Sequence, residues 1–83
     1  MDQQNVLTKV QEAFKNAFDV DPKMVSIDTS ASDIPAWDSV GHLSLAGSLE
    51  ETFGVSLDVD ELMQMENVHE IVRIITGKLA AKV

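Results

Sequence analysis

The apolar residues of the first eighteen positions fall on a helical period, and this spacing constrains the chain more than any other feature. Val6 and Leu7, Val10, Ala13 and Phe14, then Ala17 and Phe18 recur every three or four residues, which gathers them on one face of a helix but scatters them over both faces of a strand. The spacing predicts a first helix from about Gln3 to Phe18. Asp19-Val20-Asp21-Pro22 ends it, because proline lacks the amide donor and disfavours helical dihedrals in the residue before it.

The rest of the chain repeats the pattern in shorter pieces. A second helix opens at Asp38-Ser39, runs through Val40, Leu43, Ala46, Leu49 and Phe53, and stops at Gly54; short polar residues suit a helix start and glycine suits the left-handed residue past its end. The run Asp58 to Met65 predicts a short third helix with its acids in the first turn, where the dipole favours them. A fourth opens at Asn67, with Glu70 at capping-box spacing, and buries Val68, Ile71, Val72, Ile75 and Leu79. Between the first two helices, Pro22 and Pro35 mark a long connection whose Met24, Val25, Ile27, Ile34 and Trp37 are too numerous for a free linker. The expectation is an all-α fold: one domain over 1–83, a small antiparallel four-helix bundle with a long loop between helices 1 and 2 and a short third helix. Gly41 and Gly47 each cost the second helix about 1 kcal/mol relative to alanine, a cost that needs a reason.

Charge narrows the class of partner. Fourteen Asp/Glu against six Lys/Arg give −8, the wrong sign for nucleic acid or an anionic membrane, which attract cations. From Met24 to Val72 there is no Lys or Arg but ten carboxylates, whereas residues 1–23 and 73–83 are close to balanced at −1 and +3. An acidic centre between such ends is either a solubility device or a docking surface for basic partners. The chain has no cysteine, hence no disulfide, no protein thiol nucleophile and no thiolate metal ligand. That fits a reducing, cytoplasmic setting. The opening Met-Asp-Gln-Gln-Asn has neither a basic nor an apolar signal region, and the longest apolar run is three residues, Leu79 to Ala81, so neither a signal peptide nor a membrane span is expected.

Ser39 is the residue on which chemistry could turn. Its hydroxyl either caps the second helix or projects as the acceptor of a phosphoryl group, which the dipole and free N–H groups of a helix start would accommodate. A Ser-His-Asp reading with His42 and Asp38 fails, since positions 38, 39 and 42 of one helix start cannot line up nucleophile, base and orienter, and no G-x-S-x-G elbow is present. His42 is expected to be an exposed helix residue near any phosphate on Ser39, and His69 plain first-turn surface. Asp58-x-Asp60 lacks the glycine a calcium loop needs at its sixth position, where Met63 stands. Met63 and Met65 read as core filler.

Asp38-Ser39-Val40, then Leu43 and Leu45, then Leu49-Glu50-Glu51-Thr52-Phe53-Gly54-Val55, resemble the attachment-site helix of acyl carrier proteins, and the likeness extends over nearly the whole chain. The resemblance implies that Ser39 carries 4′-phosphopantetheine, taken from coenzyme A by a phosphopantetheinyl transferase that uses magnesium, and that Asp38 helps to position that metal. It implies a carrier without catalysis of its own and without a resident metal. Its acyl cargo, held as a thioester, goes to loading and synthase enzymes of a fatty-acid, polyketide or other specialised pathway. An aminoacyl or peptidyl carrier and an unmodified acidic interaction module are the alternatives. Val40, Leu43, Gly47, Glu50, Glu51, Asp58, Asp60 and Glu61 then become the docking residues for basic patches on partners, and Met63 and Met65 could line an acyl chain. Gly41, Ser44 and Gly47 stand where fatty-acid carriers commonly have acidic and bulky apolar residues. Together with Trp37 they imply a specialised rather than a housekeeping member, with the glycines giving a dedicated partner close approach; the chain is expected to be a monomer.

Overall fold

The computed structural model describes residues 3–81; Lys82, one of the closing cations, lies outside them. Helix α1 spans Gln3–Phe18, α2 Ser39–Phe53, α3 Val59–Gln64 and α4 Val68–Ala81, with two 3-10 turns, Pro22–Met24 and Ala31–Asp33, in the long connection. The four helices form the small bundle that the spacing predicts.

Each boundary has a local cause. Past α1 the chain turns through Asp19, at φ 55, a left-handed conformation that Asp tolerates better than most residues; Asp21 then caps the turn at Pro22 by accepting from the Lys23 amide at 2.9 Å. Gly54 ends α2 at φ 66, with its N–H on the Glu50 carbonyl, the glycine-ended stop its position predicts. Asp58 and Glu61 close a reciprocal capping box at the start of α3. At α4 only half of the expected box is made. Asn67 Oδ1 accepts from the Glu70 amide at 2.9 Å, while the Glu70 carboxylate turns to Arg73 Nε at 2.7 Å.

α1 packs against both α2 and α4. Val6, Val10, Ala13 and Phe14 meet Leu45, Leu49 and Phe53 of α2 and Val68, Ile71 and Ile75 of α4, all buried. Phe14 stands edge-on between Phe18, 5.7 Å away, and Trp37, 5.0 Å away. The connection is packed down, as expected: Val25 and Trp37 are buried, Gln11 Nε2 donates to the Val25 carbonyl at 2.7 Å, and Ser30 bridges to Asn67. That bridge is the sole extended pairing among the described residues. Met24 departs from this reading, its side chain 77% exposed.

Candidate functional site

The site is a turn with a helix attached. Trp37, 4% exposed and set against Phe14, anchors the chain just before Asp38. Asp38 is extended, and its Oδ1 accepts from the Gly41 amide at 2.8 Å while its carbonyl accepts from the His42 amide at 2.7 Å. Asp38 is therefore the N-cap, and Ser39 is the first residue of α2. The alternative in which the Ser39 hydroxyl is spent on capping does not hold. Ser39 and Val40 are exposed, and Ser39 bonds to no side chain among the described residues.

Gly41 makes this turn possible. A Cβ at position 41 would overlap the Ala36 carbonyl oxygen and reach 3.0 Å from the Phe18 ring. The reason for this helix glycine is internal, and close approach by a partner is not needed to explain it. Gly47 is different: its Cβ would meet nothing within 4 Å.

His42 corrects the expectation of an exposed ring. It is half-buried; Nδ1 accepts from Trp37 Nε1 at 2.7 Å, and Nε2 lies 2.7 Å from the carbonyl oxygen of Leu62 in α3. Indole N–H is only a donor, so Nδ1 carries no proton and Nε2–H donates to Leu62. Both nitrogens are thus committed away from Ser39, which removes His42 as its base. Spacing missed this connection; its one outward signal was the sole tryptophan placed five residues before a histidine across a helix start.

Ser39 lines an open depression of about 610 Å³, together with Trp37, Asp38, His42, Leu62, Met63, Met65 and Glu66. Met65 is buried as expected, but Met63 is 72% exposed and is not core filler. Together with Val40, Leu43 and Val59, 65–75% exposed, it gives α2 and α3 an apolar outer surface, of which only Val40 and Leu43 were foreseen.

The five carboxylates singled out for docking divide into two groups. Glu50 Oε2 accepts from the Leu57 amide at 2.8 Å, Asp58 caps α3, and Glu61 completes that cap while pairing with Lys78 of α4 at 2.8 Å. The hydrogen bond from Lys78 and that from the Asp58 amide hold the Glu61 carboxyl below the usual glutamate range. Glu51 and Asp60 are exposed and make no such bond. Among the described residues no group of three His, Asp or Glu is placed to hold a metal ion, and no helix is long and apolar enough to cross a membrane.

Comparison with known proteins agrees with this geometry. The family model described as the phosphopantetheine attachment site matches residues 8–75. The chain is similar to an acyl carrier protein of Thermosynechococcus vestitus, 34% identical over 82 residues that make up 98% of this chain and all of that one. An acyl carrier protein of Guillardia theta is 32% identical over the same shares. Among solved structures, the solution NMR structure of a holo acyl carrier protein from Geobacter metallireducens superposes with a TM-score of 0.82 at 35% identity, covering 93% of this chain and 88% of that one.

Proposed function

This chain belongs to the phosphopantetheine-attachment family of acyl carrier proteins, and from that premise we propose that Ser39 is its attachment residue. The observation that carries the proposal is the division of labour in the turn: Asp38 takes the capping bond, and the hydroxyl one residue on is left exposed at the start of a fifteen-residue helix. The residues fit the group. A phosphodiester on Ser39 would sit at the positive end of α2, near N–H groups that the helix itself cannot satisfy. When bound, 4′-phosphopantetheine supplies the thiol that carries an acyl group as a thioester, in a chain with no cysteine of its own.

The remaining roles follow from what each side chain is free to do. Asp38 fixes the turn through Oδ1 and offers Oδ2 to the magnesium of a phosphopantetheinyl transferase. Glu51 and Asp60, with Val40, Leu43 and the open face at Gly47, make the docking surface for loading and synthase enzymes; Glu50, Asp58 and Glu61 chiefly hold the fold and add to the field. Charged rims steer encounter and release easily, as a shuttle requires. The protein acts as a monomeric cytoplasmic carrier, without chemistry of its own, in a specialised acyl pathway.

Incubation of the full chain with coenzyme A, magnesium and a broad-specificity transferase, followed by intact mass, tests the assignment. A gain of one phosphopantetheinyl group that vanishes in Ser39→Ala is expected. No gain, or a gain that survives the substitution, overturns it.

A further inference from the structure

α3 is the least secured helix of the bundle: six residues, none of them buried, packed broadly against no other helix. Leu62 turns partly inward. Beyond that contact, three polar ties hold the helix: Lys78 to Glu61 and Arg73 to Gln64 on the α4 side, and His42 Nε2 to the Leu62 carbonyl on the α2 side. The His42 tie continues through the ring to Trp37, so that loop, α2 and α3 are joined by one line of two hydrogen bonds. The indole and imidazole lie within 15° of parallel with centroids 6.1 Å apart, side by side rather than face to face, which is the arrangement an in-plane N–H···N bond requires.

We infer that Trp37 and His42 form a proton-sensitive latch that fixes α3 as one wall of the depression beside Ser39. The line of bonds exists for one protonation state only. An indole N–H has no acceptor to offer, and a second proton on His42 would set Nδ1–H against Nε1–H at the 2.7 Å now spanned by their bond. Trp37 cannot retreat, being 4% exposed and set edge-on to Phe14. The imidazole must swing instead, and Leu62 either follows it or is left with the Met65 amide, at 3.2 Å, as its donor.

Around this ring, Asp38 at the start of α2 and Glu66 after α3 line the same depression. Glu61 of α3 is turned to Lys78, and α1 meets the turn through the uncharged Phe14 and Phe18. The two hydrogen bonds require the neutral ring, so the latch is closed while His42 is neutral and opens when the ring takes up a second proton. This inference does not depend on what Ser39 carries.

NMR of the uniformly ¹⁵N-labelled full chain tests it, because the single tryptophan gives one unambiguous indole signal. Lowering the pH from about 8 to about 5.5 is expected to move that signal upfield. Over the same interval, hydrogen exchange of the α3 amides, corrected for intrinsic rates, speeds up roughly tenfold, the loss expected of one or two hydrogen bonds. His42→Gln, whose amide keeps one acceptor and one donor, leaves both readouts flat with pH, and His42→Ala is open throughout; His69 is retained in each as an internal control. A wild-type indole signal that stays fixed, α3 exchange indifferent to it, or a Gln variant that titrates like the wild type each overturns the latch.

Discussion

The carbonyl oxygen of Ala36 occupies the space that a side chain on residue 41 would need. Because the obstacle is backbone, it cannot yield as a flexible side chain would, and either the turn at Trp37 or the first turn of α2 has to move. Gly41→Ala is expected to lose about 2–3 kcal/mol, despite alanine's better helix propensity. Gly47→Ala, with open space around its Cβ, is expected to gain up to about 1 kcal/mol. Urea titrations followed by far-UV circular dichroism separate the two; midpoints that shift in the same direction would contradict the assignment.

Asp38 serves the fold through one oxygen and, in the proposed function, the transferase through the other. Asp38→Asn keeps an acceptor for the Gly41 amide, so its stability stays within about 0.5 kcal/mol of wild type, whereas Asp38→Ala loses about 1 kcal/mol. Loading with the prosthetic group is expected to slow about tenfold or more in both variants, the scale seen when a group supporting a metal is removed. A time course of intact mass beside thermal melts checks this. An Asn variant loaded at the wild-type rate would confine Asp38 to capping.

Much of the fold was legible because its boundaries are written in local chemistry: Asp19 to Pro22, Asp38, Gly54, Asp58 and Asn67 each act within a few residues of themselves, and the structure uses each of them as a stop or a cap. The orientation of α2 was less legible. Val40 and Leu43 continue the period of Ala46 and Leu49 yet lie outside, while Leu45 lies inside, since a helix with apolar residues on two sides does not state which side meets the core. The Ala36 obstruction, the Trp37–His42–Leu62 line and the Lys78–Glu61 pair join residues that only the folded chain brings together. For the same reason, a count of carboxylates could not tell Glu50, Asp58 and Glu61, which are spent on backbone amides, from Glu51 and Asp60.

The tie between α3 and α4 carries its own pH dependence, apart from that of His42. Lys78 holds the Glu61 carboxyl below the usual glutamate range, so folding favours the ionised form. Its contribution is full above the unfolded value of about 4.3 and is lost as the pH falls through the lower, folded value. Lys78→Gln is expected to lower stability modestly near neutrality, where the contribution is full, and to converge on the wild type as the pH falls through this acid window, so that the variant's profile is flatter there. Urea midpoints measured from about pH 6 down to about pH 3 check this, with an unaltered acid slope in the variant as the adverse result.

Glu50 and Glu51 are neighbours with opposite commitments. Glu50 satisfies the part-buried Leu57 amide, so Glu50→Ala orphans that donor and is expected to cost about 1–2 kcal/mol. Glu51 is exposed and makes no hydrogen bond or ion pair among the described residues, and Glu51→Ala should stay within about 0.5 kcal/mol of wild type. At a docking surface the order reverses, because a free charge steers an incoming basic patch and a committed one does so less. Glu51→Lys is expected to raise the KM for transferase loading several-fold with kcat little changed, and the difference should shrink as salt is raised, since screening shortens the reach of an exposed charge to about 8 Å at physiological ionic strength. Leu43→Ser, which removes an exposed apolar knob, should raise KM without that salt dependence. Loading kinetics at two ionic strengths distinguish these contributions, and equal KM values for Glu51→Lys and wild type at low salt would remove Glu51 from the docking surface.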